Sequence, residues 1–212
     1  MLPTTAASEA AWHEPLQLQG FGLTLTALQV GDATDFLAAL GSPEERAEVV
    51  AHLTFAPPSD LAAATTIIET AVHDHQRIAY AQRLDATGEL VGSTSYYDID
   101  PTLRTLAIGH TWVARRHWRT FVNTASKLIM MGHAFDDLGA ERVVWHTDIR
   151  NTRSQAAIAR LGATREGVLR HHRIRRDGSW RDTVQFSMLG AEWPAARRRL
   201  LDSLDSRADQ GD

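Results

Sequence analysis

The chain has 212 residues, of which 43% are hydrophobic and 23% are charged, as in an ordinary soluble globular protein. Its net charge of −4 disfavours binding to nucleic acid or to an anionic membrane surface, and no run of about 20 apolar residues could span a bilayer. Because there is no cysteine, disulfides, thiolate metal sites and a cysteine nucleophile are excluded, which fits a cytoplasmic protein.

The sequence predicts a single domain over residues 15–200 between two flexible tails. Residues 1–14 lack the basic and apolar segments of a signal peptide, and residues 201–212 are mainly polar. Neither an internal repeat nor a linker interrupts the segment between the two tails.

The first part of this domain alternates short strands and helices. Apolar residues at alternate positions predict a strand from Leu16 to Leu25, with a bulge or turn at Gly20. Three helices follow, and the second opens with the capping box Ser42-Pro43-Glu44-Glu45. The predicted helices extend from Asp32 to before Gly41, from Ser42 to about Leu53, and from Ser59 to about His75.

The remaining elements predict a mixed sheet. A helix from Thr124 to Leu138 connects a strand ending at Ala114 with one ending at Asp148, which requires a parallel step. A short helix, a hairpin at Asp177-Gly178 and a basic terminal helix complete the order. The predicted strands span 78–84, 90–98, 105–114 and 142–148, and the short helix spans 154–161. We therefore expect an α/β (α+β) fold, a twisted and mostly antiparallel sheet with a central parallel pair, flanked by helices.

Two segments could bind a ligand. The loop from Ala114 to Asn123 joins a strand to a helix N-terminus, where free N–H groups favour an anion and Arg115, Arg116 and Arg119 add positive charge. A pyrophosphate would suit this loop, and a solvated basic loop is the alternative. Asn151 and Ser154 follow the next strand, where they either cap the short helix or face the cleft beside the strand.

In their order and spacing, these segments resemble the GNAT superfamily of acetyltransferases, nearest to its RimJ/RimL-like branch of N-terminal acetyltransferases. The resemblance covers about Leu16 to Leu200, and it depends on the set of segments rather than on any single one. The segments are Val91-Gly92, Ala107-Ile108-Gly109-His110, Asn123-Thr124-Ala125-Ser126-Lys127, Asn151-x-x-Ser154, Leu161-Gly162-Ala163, Glu166-Gly167 and Arg181-Asp182-Thr183.

The resemblance implies acetyl-CoA as the donor. Its pyrophosphate would bind the loop amides of residues 118–123, and its pantetheine would lie in a splay between strands 105–114 and 142–148. Because the family has glycine where this chain has Phe121 and glycine or alanine at Asn123, we expect binding with an altered loop geometry. The expected cofactor-binding residues are Trp112, Val113, Trp118, Arg119, Thr120, Phe121, Val122, Asn123, Thr124, Asn151 and Ser154.

Candidate catalytic residues also follow from the resemblance. The family's tyrosine acid corresponds to Ile158 here, and a glutamate that often serves as its base corresponds to Ala107. Ser154, whose counterpart is assigned as the acid in RimL-like members, is therefore the candidate donor to the leaving thiolate.

The candidate bases are His110, Glu166 and Asp148, of which the histidine has an ordinary pKa near neutrality. Strand alternation would place His110 on the face of Ile108 and Trp112, and a purely structural role for it is the alternative.

The expected function is N-acetylation of a primary amine by direct attack on the thioester in a ternary complex. Backbone N–H groups near Thr111 to Val113 would polarise the carbonyl. A protein N-terminal α-amine, with a pKa of about 8, needs less help than a lysine side chain at about 10.4. The alternatives are a small-molecule amine such as an aminoglycoside, a polyamine or an amino acid, or a non-catalytic acyl-CoA-binding module.

Two further expectations concern partners. No metal site is expected, since His73 and His75 on one helix would point apart. A homodimer is implied by the resemblance alone, and nucleic acid is not an expected partner.

Overall fold

An eight-stranded sheet runs through the protein, whose computed structural model describes residues 7–208. Its strands are β1 (Leu18–Gly20), β2 (Leu23–Ala27), β3 (Arg77–Leu84), β4 (Leu90–Asp100), β5 (Thr105–Val113), β6 (Arg142–Asp148), β7 (Thr164–Ile174) and β8 (Trp180–Leu189). The helices are α1 (Glu9–Trp12), α2 (Ala33–Leu40), α3 (Pro43–Val49), α4 (Leu61–Val72), α5 (Val122–Gly132), α6 (Thr152–Arg160) and α7 (Trp193–Ala208). Shorter 3-10 turns lie at Val30–Asp32, Arg115–His117 and Gly190–Glu192, and a π-helical turn lies at His133–Asp137.

The strands lie in the order β1-β2-β3-β4-β5-β6-β8-β7. Every neighbouring pair is antiparallel except β5 and β6, because α5 carries the chain back across the sheet between these two strands. The expected mixed, mostly antiparallel sheet with a central parallel pair is therefore confirmed.

Two hydrophobic clusters cover the two faces of this sheet. Strand β3 supplies Ile78 and Tyr80 to one cluster and Ala79 and Ala81 to the other, as side-chain alternation requires. Helices α5 and α7 contribute to the first cluster, so we call that side of the sheet the α5 face. Helices α2 and α4 contribute to the second, and that side is the α4 face.

Most predicted helices are present, with shifted ends. The capping box is confirmed, because Ser42 Oγ accepts from Glu45 N and Glu45 Oε2 accepts from Ser42 N. Helix α3 ends at Val49 rather than near Leu53, and α4 is capped by Asp60, whose carboxylate accepts from Ala63 N at 2.9 Å.

Helix α5 also differs from its predicted bounds of 124–138. It begins at Val122, since Ala125 N already donates to Phe121 O, and its last residue is Gly132. The chain then widens into the π-helical turn before Gly139, whose φ of 70° ends the segment as predicted.

The expected tails also differ from the structure in the part of the chain that it describes. Residues 9–12 form α1, and Trp12 is only 2% exposed because it packs into the cluster on the α5 face. At the other end, α7 continues to Ala208 instead of stopping near residue 200. The outermost residues of both predicted tails, 1–6 and 209–212, lie outside the described residues. Within residues 7–208, no helix combines the length and the apolar character that a membrane crossing needs.

Candidate active site

The parallel strands β5 and β6 separate along their length and leave a cleft. They pair only through Thr105–Ala107 and Arg142–Val144. Beyond these residues β5 continues to Val113 and β6 to Asp148 without pairing to each other. Because the two facing backbone edges are unpaired, their N–H and C=O groups can bond to a molecule that lies between them. The expected splay is therefore present.

Helix α5 follows the open end of β5 and offers backbone donors there. The amide of Val122 donates to Thr120 Oγ1 at 3.4 Å. The amides of Asn123 and Thr124 also lie in the first turn, where no helical carbonyl precedes them. A helix N-terminus with unused N–H groups favours an anion, so this turn suits a diphosphate.

The loop before α5 accommodates Phe121 without backbone strain. Its φ is −67°, an ordinary helical value, and its ring lies beside the β1–β2 turn, 3.6 Å from where a Cβ on Gly22 would be. The left-handed residue of the loop is Arg119, with φ of 67°. The glycine-like conformation is therefore two residues earlier than the family's glycine position, a difference that the sequence alone did not show.

Arg115 and Arg116 of this loop are paired with carboxylates of other elements. Arg115 Nε lies 2.7 Å from Glu48 Oε2, and Arg116 Nε lies 2.9 Å from Glu89 Oε1. Both ion pairs are largely solvent-exposed. These partners partly neutralise Arg115 and Arg116, and the expectation that both add positive charge beside an anion site at α5 stays a prediction.

Trp118 joins the end of β5 to the start of α6. Its indole Nε1 donates to the carbonyl of Val113 at 2.8 Å, and the guanidinium of Arg153 lies 3.7 Å from the ring centroid. Stacking of this kind is a favourable cation–π contact. The sequence indicated Trp118 and Val113 as cofactor-binding residues. It did not reveal the stack of Arg153 on Trp118, because Arg153 is distant in the chain.

Asn151 caps helix α6. Its Oδ1 accepts from the amide of Ser154 at 3.0 Å, so the capping interpretation is correct for Asn151. Ser154 is half-buried in the first turn of the helix, after the unpaired end of β6. The hydroxyl of Ser154 is not used by the cap, and the expectation that both residues face the cleft stays a prediction.

A β-bulge at His110 changes which residues share a face. Ser93 pairs with Trp112 and Ser95 with Gly109, so β5 has one residue more than β4 between these pairs, and His110 takes a φ of 49°. The expected grouping of His110 with both Ile108 and Trp112 is therefore wrong. Ile108 packs on the α5 face, whereas His110 and Trp112 line a cavity of about 140 Å³ on the α4 face.

The bulge also determines where Trp112 lies. Its side chain packs edge-on against Phe36 with the ring centroids 4.8 Å apart, and its carbonyl accepts from Gln82 Nε2 at 3.2 Å. Trp112 is therefore a wall of the cavity on the α4 face.

His110 is connected to a chain of polar side chains. Its ring lies edge-on to Tyr97, whose hydroxyl is 3.0 Å from His146 Nδ1, and His146 Nε2 is 3.1 Å from Gln185. Burial, and next the positive charge of Arg77, lower the pKa of His110 to about 4. The imidazole is therefore neutral at pH 7 and can accept a hydrogen bond.

Glu166 lies away from the open cleft. Both of its oxygens bind Arg142, the first residue of β6, at 2.8 and 2.6 Å. That pairing, chiefly, lowers the pKa of Glu166 to about 2. The structure does not bring Glu166 together with Ser154 or His110, and a carboxyl so acidic is poorly suited to accept a proton.

Asp148, at the end of β6, also forms an ion pair with an arginine. Its two oxygens lie 2.6 and 2.8 Å from the guanidinium of Arg175. Burial favours the neutral acid, but the hydrogen bonds from Arg175 and from the amide of Arg150 outweigh it and hold the pKa of Asp148 below its usual value.

Lys127 is a buried cation whose sequence signal was only its place in the segment Asn123-Thr124-Ala125-Ser126-Lys127 of the family resemblance. It is 5% exposed, and its Nζ lies 3.1 Å from Thr94 Oγ1 and 2.8 Å from Thr111 Oγ1. These hydroxyls belong to β4 and to the bulge of β5, so Lys127 fixes the bulge from the α5 face. No described carboxylate forms an ion pair with it, and burial lowers its pKa to about 7.

The sheet order, the splay and the helix that follows it define a GNAT-type acetyltransferase fold. The chain belongs to this family, because its residues 22–164 match the family model described as "Acetyltransferase (GNAT) domain". Within residues 7–208, no group of three or more His, Cys, Asp or Glu side chains is arranged to hold a metal ion.

Individual relatives agree with this assignment. The Bacillus subtilis (strain 168) protein named "Putative ribosomal N-acetyltransferase YdaF" is 30% identical over 106 residues, which are 50% of this chain and 57% of that protein. The match thus spans little more than half the length of that relative.

Solved structures share the fold over most of their length. A GCN5-related N-acetyltransferase from Brucella melitensis has a TM-score of 0.85 at 26% identity, over 90% of this chain and 86% of that one. Mycobacterium smegmatis RimJ in complex with CoA-disulfide has a TM-score of 0.70 at 22% identity, over 91% and 96% of the two chains. The expected GNAT membership is confirmed by the family model.

Proposed function

We propose that this protein transfers the acetyl group of acetyl-CoA to a primary amine, which attacks the thioester directly in a ternary complex. The observation that carries the proposal is the splay of β5 and β6 beside the first turn of α5. Unpaired strand edges suit an extended molecule that contains amides, and the helix N-terminus suits its diphosphate. Membership of the GNAT acetyltransferases supports the same donor.

The residues around the cleft fit acetyl-CoA. The amides of Asn123 and Thr124 would hold the diphosphate, and the free edge of β5 up to Val113 would bond to the pantetheine. Bound in this way, acetyl-CoA would supply an activated acetyl thioester. Phe121 is compatible with this fit, because its ring lies beside Gly22 and its backbone is not strained.

The chain's own residues then donate the proton to the leaving sulfur and accept a hydrogen bond from the amine. The amine nitrogen bonds to the acetyl carbon, the carbon–sulfur bond breaks, and the proton lost by the amine balances the one gained by the thiolate. Ser154 is the proposed hydroxyl donor to the sulfur. Since the pKa of His110 is about 4, its neutral ring would orient the amine by accepting a hydrogen bond rather than by storing a proton. Glu166, bound to Arg142, has no part in this mechanism.

A protein N-terminal α-amine is the proposed acceptor. Its pKa of about 8 leaves a usable neutral fraction at pH 7, so the reaction does not require a strong base. The name of the Bacillus relative, a ribosomal N-acetyltransferase, supports a protein substrate. A small-molecule amine and a non-catalytic acyl-CoA-binding module remain the alternatives. A cytoplasmic location and a homodimer stay predictions.

The first experiment is thermal unfolding with and without saturating acetyl-CoA or CoA. At about 100 times the dissociation constant, binding contributes roughly 2.7 kcal/mol. For a chain of this size we expect the midpoint to rise by about 5–10 °C. The absence of a shift with either compound would contradict the proposed donor site.

The second experiment tests the role of Ser154 by thiol release with peptide amines. We expect Ser154→Ala to lower kcat by roughly 10–100-fold, since a positioned proton donor contributes at least this much, while the shift with CoA is unchanged. Ser203→Ala, at an exposed serine on α7, is the matched control and should behave as the wild type. An unchanged kcat in Ser154→Ala would remove Ser154 from the mechanism.

A further inference from the structure

A tyrosine of β4 spans the mouth of the cleft. Tyr97 projects to the α4 face, because its neighbour Tyr96 packs in the cluster on the α5 face. Its ring lies across Gly109 of β5, where a Cβ would be 2.7 Å from Tyr97 Cε1 and 3.3 Å from its hydroxyl oxygen. On the far side of the cleft this hydroxyl lies 3.0 Å from Nδ1 of His146. Because Gly109 has no side chain, Tyr97 can reach from β4 over β5 to β6.

This contact lies where β5 and β6 begin to separate. Their last paired residues are Ala107 and Val144, and the same parallel register, continued along both strands, places Gly109 opposite His146. The bulge at His110 follows Gly109 directly, so the contact lies beside the segment of β5 that would hold the thioester. The side chains of the tyrosine and of His146 are half-buried, so a molecule in the cleft can approach them.

Hydrogen bonds from β7 and β8 determine which nitrogen of His146 carries its proton. Glu166, with a pKa of about 2, is ionised and can only accept, so Gln185 Nε2 must be the donor in their contact of 2.7 Å. The amide oxygen of Gln185 then lies 3.1 Å from His146 Nε2 and accepts from its N–H. Nδ1 is left without a proton and accepts from the hydroxyl of Tyr97. Glu166 acts here only on the orientation of Gln185.

The hydroxyl of Tyr97 can accept one hydrogen bond while it donates another. Within residues 7–208 its oxygen accepts from no side chain or backbone group, and a phenol that donates still has acceptor capacity. Burial raises the pKa of Tyr97, so the phenol does not ionise by itself near neutral pH. It can therefore give its proton to His146 only as it gains another.

The surroundings of His146 leave its ring neutral and able to accept that proton. Burial, as the largest cause, lowers the pKa of His146, and the hydrogen bond to Gln185 opposes this shift. The ring of His172, on β7, lies 5.8 Å from that of His146, and burial lowers the pKa of His172 as well. The other titratable or charged groups around His146 are Asp98, which raises its pKa, Arg173 and Arg181, which lower it, and His110 beyond Tyr97.

We propose that Tyr97 accepts a proton from the attacking amine and passes its own proton to His146. The inference rests on the proposed function and names the proton acceptor of that reaction. As the amine nitrogen bonds to the acetyl carbon, an N–H proton moves to the oxygen of Tyr97 and the phenol proton moves to Nδ1 of His146. The carbon–sulfur bond breaks, and the sulfur receives the proton of Ser154. The imidazolium then releases a proton to water and Ser154 regains one, so the net transfer is one proton from nitrogen to sulfur.

His110 and Tyr97 would share the amine between them. Their rings lie edge-on, with the centroids 5.2 Å apart. A neutral primary amine has two N–H groups and one lone pair, so it can direct one N–H to each ring while the lone pair faces the thioester. His110 then orients the amine, and Tyr97 removes its proton.

Thiol release with acetyl-CoA and peptide amines measures the role of Tyr97. We expect Tyr97→Phe to lower kcat roughly 100-fold, since a positioned proton acceptor contributes at least this much, with little change in KM for acetyl-CoA. Tyr80→Phe is the matched control, because Tyr80 lies on β3 in the cluster on the α5 face and its hydroxyl has no partner among the described residues. This control should keep the wild-type kcat. An unchanged kcat in Tyr97→Phe would overturn the proposal.

Chemical rescue separates proton transfer from a structural role of His146. His146→Ala should lose about as much activity as Tyr97→Phe, and free imidazole should restore roughly tenfold of it by taking the proton from Tyr97. Imidazole should restore nothing when Tyr97→Phe and His146→Ala are combined, because the proton then has no path. His13→Ala, at an exposed histidine after α1, should have wild-type activity with or without imidazole. Inactive His146→Ala that imidazole does not rescue would contradict the relay.

The tautomer of His146 tests the relay without turnover and without a variant that must be active. Isotope-edited NMR of the histidine ring nitrogens at neutral pH, with His146→Gln to assign the signals, should show the proton of His146 on Nε2. A proton on Nδ1 would mean that Tyr97 cannot donate to this ring, and the proposal would be wrong.

The kinetic outcomes also separate this inference from the proposed function. If the wild type acetylates amines and Tyr97→Phe does so equally well, the proposed function stands and the relay is wrong. If the wild type acetylates no amine although acetyl-CoA raises its midpoint of unfolding, the proposed function is wrong and the catalytic relay fails with it.

Discussion

Lys127 should make the stability of this protein depend on pH in the alkaline range. It is the only lysine of the chain, and burial lowers its pKa to about 7 in the folded state. In the unfolded chain its pKa is about 10.4. Between these values the unfolded state binds a proton that the folded state has released, so the free energy of unfolding rises with pH.

The expected rise follows from the linkage relation. A difference of one proton corresponds to about 1.4 kcal/mol per pH unit, so from pH 7.5 to 9.0 the free energy of unfolding should increase by about 2 kcal/mol. Few other groups interfere, since the chain has no cysteine and burial raises the pKa values of Tyr80, Tyr96 and Tyr97. The upper limit of pH 9.0 avoids ionisation of the tyrosines in the unfolded state.

Urea denaturation at pH 7.5, 8.25 and 9.0 measures this dependence. Lys127→Met, which removes the ammonium, should give a nearly constant free energy of unfolding over the range. Arg198→Gln removes an exposed charge and should keep the wild-type rise. A wild-type protein whose stability is flat between pH 7.5 and 9.0 would show that Lys127 has an ordinary pKa and that the burial argument fails.

Three stability predictions can be checked by urea denaturation at pH 7.5. Trp12→Ala should cost about 3–5 kcal/mol because Trp12 is only 2% exposed, and a loss no larger than that of Trp180→Ala, at a residue 56% exposed, would contradict the packing of α1. Gly92→Ala should cost about 1–3 kcal/mol, since its Cβ would lie 2.4 Å from the carbonyl oxygen of Trp112, whereas Gly167→Ala meets no atom within 4 Å and should change little. Ser42→Ala should cost about 1 kcal/mol through the lost cap of α3, and a neutral result would mean that this capping box does not stabilise the helix.

Most strands and the parallel step could be predicted from the sequence because they depend on local signals, whereas the position of β8 between β6 and β7 was not predicted. Alternating apolar residues and turn dipeptides give β3, β4 and the final hairpin, and the predicted strand 142–148 coincides with β6. The parallel step follows from one helix placed between two strands. The splay was expected from the family resemblance. In the structure it is seen directly, because β5 and β6 pair through only three residue pairs and then separate.

The chemistry on the α4 face could not be predicted in this way. The face that His110 occupies depends on a bulge, and a bulge exists only relative to the residues of β4 that pair with it. Alternation alone therefore placed His110 together with Ile108. Glu166 became a candidate base because the sequence does not show that Arg142 binds it.

Contacts between distant segments explain the remaining differences. The stack of Arg153 on Trp118 and the bonds of Lys127 to Thr94 and Thr111 each join residues from separate elements. No periodicity in the sequence reports such contacts. The site residues that could be inferred were those at the ends of elements, such as Asn151, whose role as a cap is local.

The short pairing of β5 with β6 divides the sheet into two hydrogen-bonded blocks. Strands β1 to β5 form one block and β6 to β8 the other, and only three residue pairs connect them. Because pairing within each block joins mainly neighbouring segments, we expect the blocks to assemble first and to dock across this seam late in folding. A molecule bound along the seam would contact both blocks at once. The donor would then also act as a structural bridge, and its departure after each reaction would leave the two halves of the sheet freer to move against each other.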